Sequence, residues 1–106
     1  GETSADCARR EALEEVGVRL DAVDAVASAF SCPGVSTERL FLFLGAYQAS
    51  DRVEAGGGLA VEHEAIEVVE VELSDLARMA EAGEGEDLKT LHLILCLRLR
   101  RPDLFG

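Results

Sequence analysis

A chain of 106 residues holds one small domain. Its net charge of −11 repels phosphate backbones, so nucleic acid is not an expected partner, and 48% hydrophobic residues exclude general disorder. No apolar run approaches the roughly 18–20 residues of a membrane span. The best candidate, Leu91 to Leu99, is interrupted by His92 and Arg98.

The chain opens on Gly1, Glu2 and Thr3, not on a basic then apolar signal segment. Three cysteines, Cys7, Cys32 and Cys96, are widely spaced and odd in number, which fits neither a zinc pattern nor a disulfide framework. Buried free thiols in a reducing cytoplasm are expected.

Thr3 to Val16 reads as a helix. Thr3 suits its N-cap and Asp6 stands where a carboxylate answers in a capping box. Ala5, Cys7, Ala8, Ala12 and Leu13 favour the helix or face a core, and Gly17 ends it. Leu20 to Phe30 reads as a strand with Val23, Ala25, Ala27 and Ala29 alternating. Pro33 and Gly34 mark a loop from Ser31 to Glu38. Arg39 to Ala49 is the strongest predicted strand. Leu40, Leu42 and Leu44 lie on one face and Phe41 and Phe43 on the other, so a central, doubly covered strand is expected.

Ser50 to Gly58 is a loop ending in three glycines. Ile66 to Leu73 alternates as a strand with one wet face. Ser74 is placed as the cap of a short helix to Ala82, closed by Gly83. Asp87 to Arg100 reads as the last helix, with Leu88, Leu91, Leu95 and Leu99 at helical spacing and Pro102 beyond it. Arg98, Arg100 and Arg101 suit its C-terminus.

Glu11, Glu14 and Glu15 are related by i, i+3 and i+4, so on a helix they share one face. Three like charges this close repel. A hard divalent cation resolves the conflict because it takes oxygen ligands, and Arg10 can also reach Glu14 at i+4. Spacing alone leaves a solvated acidic face open as an alternative.

The wider pattern is more specific. Arg10-Glu11-Ala12-Leu13-Glu14-Glu15-Val16-Gly17-Val18 resembles the second half of the Nudix box, and Glu2 stands eight residues before Arg10, where the box has an earlier glutamate. Ala12 is a small occupant of an apolar slot, and the box's opening glycine falls before Gly1. The resemblance implies a Nudix α/β/α sandwich of the α+β type with a mixed sheet. Residues 1–106 would form the C-terminal part of one such domain, starting inside the box and lacking its N-terminal strands. It implies that Glu11, Glu14 and Glu15 are metal ligands for Mg²⁺, or Mn²⁺, and that Glu2 and Arg10 form a supporting ion pair. The chemistry implied is hydrolysis of a diphosphate, with metal ions neutralising charge and lowering the pKa of a bound water.

Beyond the box, the chain resembles the ADP-ribose and GDP-mannose branch of that family. The carrying segments are Ser31 to Leu40 with Pro33 and Glu38, Gly56-Gly57-Gly58, Glu62 to Val68, and Gly85 to Thr90. Cys32, His63 and Ala65 depart from the branch's pattern. The resemblance implies a nucleoside diphosphate sugar as substrate, while the net charge of −11 and the short apolar runs give no expectation of a nucleic acid or membrane partner. It places a catalytic glutamate at Glu64, with Glu62 second, and a substrate loop at Pro33 and Glu38. Asp87, Lys89 and Thr90 would cap the last helix. A homodimer is expected. The alternative is a non-catalytic Nudix-like module for interaction or dimerisation.

Overall fold

The computed structural model describes residues 1–35, 37–54, 56, 67–85 and 87–106. They fall into two compact units, Gly1–Val69 and Glu70–Gly106. Helices and one antiparallel pair of strands give the chain its α+β character.

In the first unit, helix α1 spans Ser4–Glu11. Thr3 caps it: its Oγ1 accepts the Asp6 N–H at 3.0 Å. The Asp6 carboxylate answers by accepting from the Thr3 hydroxyl and backbone N–H, and it also meets Arg9, so its pKa is held below the usual value. The expected helix continues to Val16, but Ala12–Val16 is a π turn, not an α-helix. Gly17 closes it in the left-handed region at φ +79°, with its N–H directed at both Ala12 O and Leu13 O. Val18 N–H then reaches back to Ala12 O at 3.3 Å, one residue further than the long bond of a Schellman ending. A π turn takes up the extra residue.

Strands β1 (Asp24–Phe30) and β2 (Arg39–Leu44) pair antiparallel. Both are shorter than the alternation predicts. Asp24 faces Leu44 and Phe30 faces Arg39, with a bulge between Ala25 and Ala27. The bulge explains why strict alternation through Val23, Ala25, Ala27 and Ala29 fails. An extra residue shifts the inward phase, and adjacent Val26 and Ala27 are both half-buried. Arg39 crosses to the partner strand, donating to Ser28 Oγ at 3.0 Å and lying 4.6 Å from the Phe30 ring centroid. The doubly covered position expected of β2 is not met among the described residues: Phe41 is 51% exposed, and β1 is the strand on which β2 pairs. Helix α1 packs against β2.

Residues 67–72, where the first unit ends and the second begins, form no strand, contrary to the expectation for Ile66 to Leu73, of which Ile66 lies outside the described residues. Alternation needs a ladder partner to become a strand, and among the described residues this stretch pairs with none; Val69 is exposed. Helix α2 runs Leu73–Ala82 and starts one residue before Ser74. Glu72 sits at its N-cap without a side-chain bond, and Gly83 ends it at φ +70°.

Helix α3 (Leu88–Arg100) is capped by Asp87, whose carboxylate accepts from Lys89 N–H at 3.0 Å and Thr90 Oγ1 at 2.9 Å. Its buried stripe is not the expected one. Ile94 is buried and Leu91 and Leu97 are half-buried, while Leu88, Leu95 and Leu99 are exposed. A helix with apolar residues on most sides leaves periodicity degenerate, and packing on α2 chooses the stripe. Arg98 pairs with Glu81 of α2. Pro102 starts a 3₁₀ turn, Pro102–Phe105.

The cysteines are free as expected, but not buried: Cys32 is exposed, and Cys7 and Cys96 are half-buried. No helix among the described residues is long and apolar enough to cross a membrane. The buried hydrophobic side chains among the described residues are Val18, Ala77 and Ile94.

Ile94→Ala should cost the second unit about 2–5 kcal/mol and Ile94→Val about 1 kcal/mol, read from urea midpoints. Asp87→Ala should lower the same midpoint at pH 6. The Asp87 carboxyl is held below its ordinary pKa by the Thr90 hydroxyl, then by the Lys89 N–H. Its contribution is therefore present above about pH 4 and lost as pH falls through the lowered value, so the gap between wild type and variant should close in acid.

Candidate metal centre

The carboxylate face is built by one helix and its π turn. Glu11 ends α1, and Glu14 and Glu15 lie in Ala12–Val16. All three are half-buried. Arg10 is the organising cation. Its Nε and one terminal nitrogen grip Glu2 at 2.9 and 3.1 Å, and its other terminal nitrogen meets Glu14 at 3.1 Å. It also lies 3.8 Å from a Glu11 oxygen. A planar fork can serve two carboxylates at once, which an ammonium cannot do with the same geometry. The Arg10 guanidinium, bonding first through its side chain, pulls the Glu2 pKa down, and Glu2 then Glu14 push that of Arg10 up.

Cys7 joins this cluster, a placement that sequence reading did not find. Its Sγ lies 3.6 Å from an Arg10 nitrogen and 3.9 Å from Glu11 Oε1. The signal was available: Cys7 is three residues before Arg10 and four before Glu11, on the same helical face.

Three carboxylates in two successive turns fit a hard divalent cation in donor type. Among the described residues, no three His, Cys, Asp or Glu side chains are gathered closely enough to hold one. The hydrogen bond between Glu14 and Arg10 gives the reason on one side of the set: that carboxylate is turned to a guanidinium.

The C-terminal end of this helix is clamped by the segment after β2. Gly17 O accepts both Val53 N–H at 2.9 Å and Glu54 N–H at 3.1 Å, and Arg19 N–H bonds Asp51 O at 2.8 Å. Val18 and Arg52 form an antiparallel bridge. The turn Ala49–Asp51 is locked by Gln48 and Asp51, whose backbone and side chains exchange hydrogen bonds.

Other predicted positions lie elsewhere. Pro33 is exposed in a turn closed by Val35 N–H on Cys32 O at 3.0 Å, and Glu38 is exposed just before β2. Both stand at the loop end of the hairpin, opposite the Asp24–Leu44 end. Glu62, His63 and Glu64 are outside the described residues.

Comparison with known proteins decides the family. The model of the NUDIX domain matches residues 1–93. This chain belongs to the Nudix family. Three curated relatives, each named GDP-mannose pyrophosphatase, are similar to it. That of Cronobacter sakazakii is 39% identical over 94 residues, covering 89% of this chain and 48% of the relative. That of Salmonella arizonae is 39% identical over 93 residues, 88% of this chain and 48% of the relative. That of Citrobacter koseri is 40% identical over 88 residues, 83% and 45% respectively. The chain thus spans about half the length of the curated relatives it matches.

In this Nudix helix, Arg10→Gln should move the Glu2 carboxyl upward toward the ordinary carboxylate range, followed by NMR titration. The sign follows from the pair. A lowered Glu2 pKa means that the contact stabilises above that value and is lost as pH falls through the folded one. In Arg10→Gln the acid limb of stability should therefore flatten.

Proposed function

We propose that this Nudix chain serves metal-dependent hydrolysis of a nucleoside diphosphate sugar, of the GDP-mannose or ADP-ribose type. The observation that carries the reading is the placement of Glu11, Glu14 and Glu15 on one helix with Arg10 tied to Glu2, in a chain similar to GDP-mannose pyrophosphatases. In this reading the three glutamates hold Mg²⁺, with Mn²⁺ as a substitute. A cation held there would neutralise diphosphate charge and supply a more acidic water. Water adds across one P–O–P bond, leaving a nucleoside monophosphate and a sugar phosphate.

The chain's own residues supply the frame. Glu2 retains Arg10, so Arg10 can release Glu14 to a cation without leaving the helix. Glu64, or else Glu62, takes a proton from the attacking water, and Pro33 and Glu38 line the sugar nucleotide. A −11 chain meets an anionic substrate through its metal, because direct approach is repulsive. The working unit in this proposal is a homodimer, supported by the exposed Phe41 and Leu95. Its place is the cytoplasm, where free thiols persist.

In the full-length protein, Mg²⁺-dependent hydrolysis of GDP-mannose and ADP-ribose should be measurable by release of sugar phosphate. Glu15→Gln should lower kcat about a hundredfold, the equivalent of roughly 3 kcal/mol of lost transition-state stabilisation. Equal activity in wild type and Glu15→Gln would remove the metal role from this helix. Absence of hydrolysis with an intact fold would favour an interaction module instead.

A further inference from the structure

The tightest backbone approach described lies next to the proposed metal ligands. A Cβ on Gly17 would fall 2.0 Å from Glu54 O and 2.9 Å from Gly56 N. A Cβ on Gly56 would fall 2.7 Å from Glu15 O and 2.6 Å from Val16 C. Real Cβ atoms do not come this close to backbone. Both glycines also have φ near +80°, where L-residues are strained. The two main chains therefore cross glycine against glycine, and each lacks a side chain for the other's sake. The crossing is tied by the two N–H groups of Val53 and Glu54 on Gly17 O.

This matters for the site because of what the crossing touches. Gly56 lies against the carbonyl of Glu15 and the carbonyl carbon of Val16, within the π turn that carries Glu14 and Glu15. A π turn is less favourable than an α turn and persists where tertiary contacts hold it. Val18, the most buried of the described core residues, is next in sequence and bridged to Arg52.

We propose that Gly17 and Gly56 form a backbone clasp that fixes the Glu14–Glu15 turn for cation binding, with Gly56 and Val53 as positioning residues of the metal site. The inference rests on the metal reading of that helix. The clasp holds the main chain of the two ligands at a set position, so a cation pays less ordering cost on binding.

The test is Mn²⁺ titration of the full-length protein by electron paramagnetic resonance. The variants are Gly56→Ala, which puts a Cβ into the crossing, and Val53→Pro, which removes the N–H on Gly17 O while altering an exposed side chain. Gly34→Ala is the control, since its Cβ enters open space. The clasp variants should bind Mn²⁺ at least tenfold more weakly, with helical circular dichroism and a cooperative melt retained. Excess Mn²⁺ should restore kcat with KM for the sugar nucleotide unchanged, and Gly34→Ala should match wild type in Mn²⁺ affinity. Wild-type Mn²⁺ affinity in a folded clasp variant overturns the proposal. So does loss of the fold in both variants, since the crossing then serves folding alone. If wild type binds Mn²⁺ no better than Glu14→Gln/Glu15→Gln, the metal reading itself fails and takes the clasp's role with it.

Discussion

The charge of Arg10 organises three of the glutamates at this end of the chain. Glu2, Glu11 and Glu14 all come within reach of one guanidinium. Like charges at helical i, i+3 and i+4 spacing each cost a helix about a few tenths of a kcal/mol, and a chain of net charge −11 has little spare cation to offset them. The fork geometry of Arg10 meets this shortage. Two of its nitrogens hold Glu2 and the third serves Glu14, so one residue both anchors the segment before α1 and quiets the site. Under the proposed metal reading, a cation and Arg10 would be alternatives for Glu14, and Glu2 would keep the displaced guanidinium near.

The rest of the first unit supports that helix from its other end. The connection after β2 donates to Gly17 O and accepts from Arg19, so the loop is a structural partner of the helix, not a mere link. The hairpin places its own loop, with Pro33 and Glu38, at the far end from this junction. The second unit is organised separately, by the α2–α3 contact, the Asp87 cap and the Arg98–Glu81 pair.

Much of this was legible in the sequence, and for identifiable reasons. Capping chemistry is local, so Thr3 with Asp6, Gly17, Gly83 and Asp87 with Thr90 could be placed from their neighbours. The Glu2–Arg10 pair came from the motif's register, since eight residues is not a helical neighbour spacing. What failed depended on partners distant in sequence. The bulge at Val26 moved the inward phase of β1, residues 67–72 lacked a ladder, and packing on α2 chose Leu91, Ile94 and Leu97 over Leu88, Leu95 and Leu99. The triglycine signals a loop by composition, but the approach of Gly56 to Glu15 joins segments about 40 residues apart and leaves no local mark. Glu62 and Glu64 remain a proposal carried by resemblance.

The π turn has one more consequence, for insertions and deletions. An α-helix rotates about 100° per residue. Removing any one residue between Ala12 and Val16 would let an ordinary α turn form and would ease the local backbone. Glu2, Arg10 and Glu11 would keep about the same side relative to Gly17 and the loop that grips it, because the π turn already absorbs one residue more than an α turn. What would move is the turn itself, where Glu14 and Glu15 stand. A shorter, locally better helix would leave both flanks in place and displace the two glutamates between them.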